Sequence, residues 1–129
     1  MEKLNVLEVG GVKVSLEKVY DMAVELGKAI AETGEFKDMK QSELAIMRNE
    51  EAAAMVEKLN NAKRGVEKKK AMGEYTQADT IEMGEIEKEV LSNTVVKNSF
   101  EANALFNNFM QQISIKIRDG IREKSSHIV

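Results

Sequence analysis

From Leu16 almost to the end of the chain, apolar residues recur at steps of three and four, and Asn, Thr and Gly punctuate the runs. Leu16, Val19, Ala23, Leu26 and Ile30 predict a first amphipathic helix, with Ser15 as its N-cap and Gly34 placed to end it. Phe36, Met39, Lys40, Glu43, Leu44 and Met47 mark a shorter second helix that stops before Asn49. Asn49 caps a third, on which Ala52, Met55, Leu59, Ala62 and Val66 keep the same spacing. Gly73 interrupts the pattern, and Thr76 with Asp79 three residues on forms a variant capping box for a helix carrying Ile81, Met83, Ile86 and Val90. Asn93 or Thr94 then caps a last helix whose wide apolar face comprises Val95, Val96, Phe100, Phe106, Phe109, Met110, Ile113, Ile117 and Ile121. Ile113 to Ile117 alternates as a strand would, but it stays in register with the helical stripe from Phe106 to Ile121 and is read as helix.

Ahead of this series, Val and Leu flank the turn pair Gly10-Gly11, which suits a tight hairpin or a loose arm equally. The expected fold is therefore all-α: an elongated bundle of about five helices over residues 15–124, preceded by a short N-terminal arm or β-hairpin over 1–14 and followed by a disordered tail over 125–129.

A chain of 129 residues is long enough for one domain and too short for two ordinary ones. Leu, Ile, Val and Phe supply about a quarter of it, enough for a chain with 32% charged residues to fold. Ala and Met swell the apolar fraction of 43%, so the large side chains are spread thinly over long helices and the monomer's core is slender. Self-association would thicken it, and a homodimer or larger is expected, with Phe100, Phe106, Phe109, Met110, Ile113 and Ile117 as core or oligomer face. No apolar run reaches the length of a signal sequence or a membrane span, so neither secretion nor membrane insertion is expected, and a cytoplasmic location is the default.

Candidate chemistry is sparse. The absence of Cys excludes disulfides, thiolate nucleophiles and Cys-ligated zinc or iron–sulfur clusters. His127 stands alone in a polar tail, where a frayed end outweighs a metal ligand. Glu82, Glu85 and Glu89 share a helix face that could hold a hard cation, yet no Glu-x-x-His pair or oxygen-rich loop accompanies them, and a solvated face is the stronger reading. Gly10-Gly11 lacks the Lys and Ser/Thr of a phosphate loop, and no Ser occupies a nucleophile elbow. Neither an enzyme activity nor a cofactor is expected. The sharpest local signal is the basic run Lys63, Arg64, Lys68, Lys69 and Lys70, broken by Glu67. It could contact RNA phosphates, but a net charge of -3 gives no general attraction to nucleic acid, no aromatic is interleaved to stack on bases, and lysines at a helix C-terminus need no ligand. The segment from Glu74 to Leu91 is strongly acidic, so the basic run could instead face it, within one chain or across a dimer.

Three stretches carry a family resemblance. Tyr20-Asp-Met-Ala-Val-Glu-Leu26 runs on to Ala29, Ile30, Glu32 and Phe36; Asn49-Glu-Glu-Ala52 leads to Met55, Val56 and Leu59; Asn93-Thr-Val-Val96 precedes Phe100, Ala102 and Phe106. Their order and spacing over about residues 19 to 115 resemble the YlbF/YmcA family of small helical regulators from Gram-positive bacteria. The resemblance implies an all-helical, non-enzymatic protein that self-associates and binds protein partners. It also implies a possible link to ribonuclease Y-dependent RNA processing and, through it, to competence, sporulation and biofilm control. Two departures stand out. Glu50 and Thr94 replace prolines usual in the family after Asn49 and Asn93, which removes some preorganisation of the helix starts without changing the fold. The cysteines with which some members hold iron–sulfur clusters are absent, which sets this chain apart from those members. The resulting expectation is a cytoplasmic regulatory or adaptor protein acting by protein–protein contacts, with an RNA-binding module built on residues 63–70 as the alternative.

Overall fold

The structure, a computed structural model, describes residues 6–9 and 12–125, with side chains from Ser15 onward. The fold is all-α, with five helices among the described residues. Two four-residue strands, β1 (Val6–Val9) and β2 (Val12–Ser15), pair antiparallel with Val6 opposite Ser15. The Gly10-Gly11 pair read above as a turn, and the tail from residue 126 with His127, lie outside the described residues.

Helix α1 (Leu16–Ala31) follows β2 directly. Ser15 is its N-cap in extended conformation, but its side chain makes no capping hydrogen bond. The boundary with α2 (Gly34–Met47) differs from the sequence expectation in one respect: Gly34 opens the second helix instead of ending the first. Thr33 explains this. Its hydroxyl donates to the Ile30 carbonyl at 2.7 Å and accepts from the Phe36 N–H at 3.2 Å, so one side chain closes α1 and starts α2.

The remaining ends follow their local chemistry. Asn49 Oδ1 accepts from the Ala52 N–H at 2.9 Å to start α3 (Glu50–Ala71). Gly73, at φ 71, ends it in a Schellman arrangement: the Glu74 N–H reaches the Lys69 carbonyl at 2.8 Å and the Gly73 N–H the Lys70 carbonyl at 3.2 Å. Thr76 and Asp79 form a reciprocal capping box on α4 (Gln77–Leu91). Asn93, rather than Thr94, caps α5 (Thr94–Ser125), accepting from the Val96 N–H at 3.2 Å.

These elements fall into two compact units, one comprising the chain up to Lys37 together with Phe106 onward, the other Asp38–Leu105. The second unit holds the core. Ala52 and Leu59 of α3, Val90 of α4 and Val96 of α5 are buried together, with Ile46, Met55, Val56, Met83, Ile86 and Val95 packed around them. Burial of these side chains drives the docking of α3 on α4, at roughly 25 cal/mol for each Å² of apolar surface removed from water. At the edge of that unit Ser99 is buried, and Asn103 Nδ2 donates to its carbonyl at 2.9 Å and to its Oγ at 3.4 Å, so the polar side chain enters the interior with a partner.

Candidate functional site

No residue of α1 is buried, although its apolar positions follow one face. Tyr20 and Met22 are both more than half exposed. Within the same unit, Phe36 of α2 meets Phe106 of α5 edge-on, with ring centroids 5.8 Å apart, and Phe106 in turn packs obliquely on Phe109 at 6.4 Å. These three rings are half-buried. Beyond them along α5, Ile113 is half-buried, Met110 is exposed, and Ile117 and Ile121 are 51% and 63% exposed. From Phe106 to Ile121 the stripe read from the sequence is therefore a helix face whose far end is open to water. Phe36, read from the sequence as a second-helix position and not as part of this face, packs against its near end.

Phe100 belongs to the other unit. It is 37% exposed and, with Leu91 and Ala104, lines a shallow apolar groove edged by Lys88 and Lys97.

The basic run lies exposed along the last turns of α3, and its members have different surroundings. Lys69 Nζ lies 2.6 Å from Asp79 Oδ1. That hydrogen bond is the main cause that raises the lysine's pKa above its ordinary value, and the Lys69 ammonium together with the Thr76 N–H holds the Asp79 carboxyl below its own. Lys70 Nζ sits 5.0 Å from the centroid of the Tyr75 ring, whose hydroxyl shares a hydrogen bond with Thr80. Arg64 is hydrogen-bonded to Asn61. One turn-length series back, Lys58 Nζ contacts Glu89 at 2.6 Å. Of the basic stretch, Lys69 thus meets the acidic helix inside one chain, at Asp79, and Lys58, outside that stretch, makes a second contact with the same helix at Glu89.

Between these two ion pairs the α3–α4 hairpin carries a groove of about 190 Å³, lined by Ala62, Gly65, Val66, Met83 and Ile86 with Lys69, Asp79 and Glu82 at its rim. Glu82, Glu85 and Glu89 lie on α4 as the spacing indicated, and Glu89 is committed to Lys58. Among the described residues, no group of three or more His, Cys, Asp or Glu side chains is disposed to hold a metal ion, and no helix is long and apolar enough to cross a membrane.

A family model described as control of competence regulator ComK, YlbF/YmcA, matches residues 19–122. A chain of the X-ray crystal structure of Bacillus subtilis RicA in complex with RicF superposes with a TM-score of 0.69 at 18% identity, covering 88% of this chain and 99% of that one. At that identity the likeness speaks for the fold. No curated protein matches.

Proposed function

The chain belongs to the YlbF/YmcA family, described as controlling the competence regulator ComK, and from that premise we propose that it is a non-enzymatic cytoplasmic adaptor that self-associates and binds protein partners. The observation that carries this reading is exposed apolar surface on two helices: Ile117 and Ile121 on α5 and Tyr20 and Met22 on α1 stand more than half exposed, while the buried cluster joins Ala52, Leu59, Val90 and Val96. Uncovered apolar side chains of this number on two helices cost solubility unless a protein surface covers them. The structural neighbour is described in complex with another protein, which supports the same mode of action here. The regulated process we propose is ribonuclease Y-dependent RNA processing, with competence, sporulation and biofilm formation downstream.

Affinity purification of the tagged chain from its native cell, with and without nuclease treatment, tests the reading. A protein partner retained after nuclease is expected; capture of RNA alone, lost on nuclease, would replace the adaptor with the second reading. That second reading is an RNA-binding module on Lys63, Arg64, Lys68, Lys69 and Lys70, and Tyr75 beneath Lys70 is the observation in its favour, since it places an aromatic ring beside the cations. Against it, Lys69 is already neutralised by Asp79.

A further inference from the structure

The groove between α3 and α4 has a floor that this chain leaves unfilled. Gly65 lies in the interior of a 22-residue helix, a position where glycine is among the poorest choices. Beyond the adjoining backbone of its own helix, a Cβ at this position would meet no atom of the described residues within 4 Å. Its neighbours on the groove are Ala62, Val66, Met83 and Ile86, so the α3 backbone is bare on this side and the walls are apolar. Lys58 and Lys69 are 11 residues apart, three helical turns or about 16 Å along one face of α3. Their bonds to Glu89 and Asp79 fasten the hairpin at both ends of this window and use up those four charges.

The space is about 190 Å³, below the roughly 300–1,000 Å³ of pockets that take small organic ligands, and it suits a large apolar side chain. Its rim carries Lys69 and two carboxylates, Asp79 and Glu82, and Glu82 forms no ion pair among the described residues. Lys69 feels the charge of Glu82 as well as that of Asp79, so two carboxylates share one ammonium and the rim keeps a net negative charge. An occupant complementary to both features is apolar at its centre and cationic at its edge.

We infer that the α3–α4 groove receives one large apolar side chain from an amphipathic helix of a partner protein, and that a lysine or arginine about one turn away on that helix pairs with Glu82. Gly65 is then the point of close approach between α3 and the incoming helix. The inference rests on the reading of this chain as a protein-contact adaptor and names the chemistry of one of its partners.

The test uses the full chain and a synthetic helical peptide of about 18 residues with a leucine seam, a central phenylalanine and arginines along one flank, binding being read by fluorescence anisotropy. Gly65→Leu fills the groove at a position with open space around it, so the variant is expected to keep the wild-type helical circular dichroism. It should weaken peptide binding roughly tenfold, as loss of an anchor pocket does. Glu82→Gln should weaken the arginine-flanked peptide about threefold and leave a glutamine-flanked one unchanged. Equal binding of wild type and Gly65→Leu, or no binding by wild type, overturns the proposal. So does a Gly65→Leu chain that becomes monomeric by sedimentation when the wild type is an oligomer, because a second copy then covers the groove. In native-cell purification, a partner retained by Gly65→Leu would leave the adaptor reading standing and remove this site. Loss of that partner alone, in a folded variant, supports the groove.

Discussion

Lys69 and Asp79, ten residues apart on either side of the turn between α3 and α4, are joined at 2.6 Å through Asp79 Oδ1, while Asp79 Oδ2 accepts the Thr76 N–H at 2.9 Å. One carboxylate thus serves both as the reciprocal half of a helix cap and as the anchor of an inter-helix ion pair. Because the folded-state pKa of Asp79 is depressed, its contribution is complete above the ordinary carboxylate value and is lost as pH falls through the lower folded value. Lys69, raised, contributes fully below its ordinary value and loses that contribution as pH rises through the higher folded one. Between about pH 5 and 9 the pair is therefore at full strength. The melting-temperature gap between wild type and Asp79→Asn should be flat across that window and close in acid; a gap that persists to the lowest pH at which the chain stays folded would contradict the assignment.

Thr76→Ala removes the other half of the box. The Asp79 N–H reaches Thr76 Oγ1 at 3.4 Å, a long hydrogen bond, so the loss belongs at the lower end of the capping range, about 0.5–1 kcal/mol. Urea unfolding should show a lower midpoint with an unchanged slope.

Leu59 is 2% exposed in the core and Ile117 is 51% exposed on α5. Leu59→Ala should cost about 2–5 kcal/mol. Ile117→Ala should change monomer stability by less than about 0.5 kcal/mol and yet shift the light-scattering mass downward at micromolar concentration. Equal costs for the two substitutions would place Ile117 in the core of the single chain and remove the oligomer face.

Replacing Lys63, Arg64, Lys68 and Lys70 by Gln, with Lys69 kept for its bond to Asp79, should cost about 1 kcal/mol or less and leave partner capture intact. A gel shift at about 150 mM salt provides the contrast: submicromolar RNA binding by wild type, lost in the variant with a shallower salt dependence, would favour the RNA-binding reading.

Helix positions and caps were legible in the sequence because they are set by residues within one turn of one another. Asn49, Thr76 with Asp79, and Gly73 each act on backbone groups three to five residues away. The exception, Gly34, shows the limit: a glycine near a helix end reads as a terminator until the Thr33 hydroxyl is seen to bind the Phe36 N–H. Less legible was which apolar face is covered. Periodicity marks Leu59 on α3 and Ile117 on α5 alike, and burial of the first but not the second depends on which helix packs opposite, a long-range outcome that spacing does not encode. The Phe36–Phe106 contact escaped for the same reason, since it joins residues distant in sequence. The groove at Gly65 left only one trace in the sequence, a glycine inside a helix with no turn to explain it.

The connection between α3 and α4 has a kinetic meaning. Met72 to Thr76 is closed on one side by the Schellman bonds at Gly73 and on the other by the Thr76–Asp79 box, so both helix ends are specified by residues adjacent in the chain. Bringing Lys69 to Asp79 costs the closure entropy of a loop of about ten residues, an event on the order of 10–100 ns. The α3–α4 hairpin therefore needs only a short loop closure, and it offers Leu59 and Val90 as the surface against which Val96 packs.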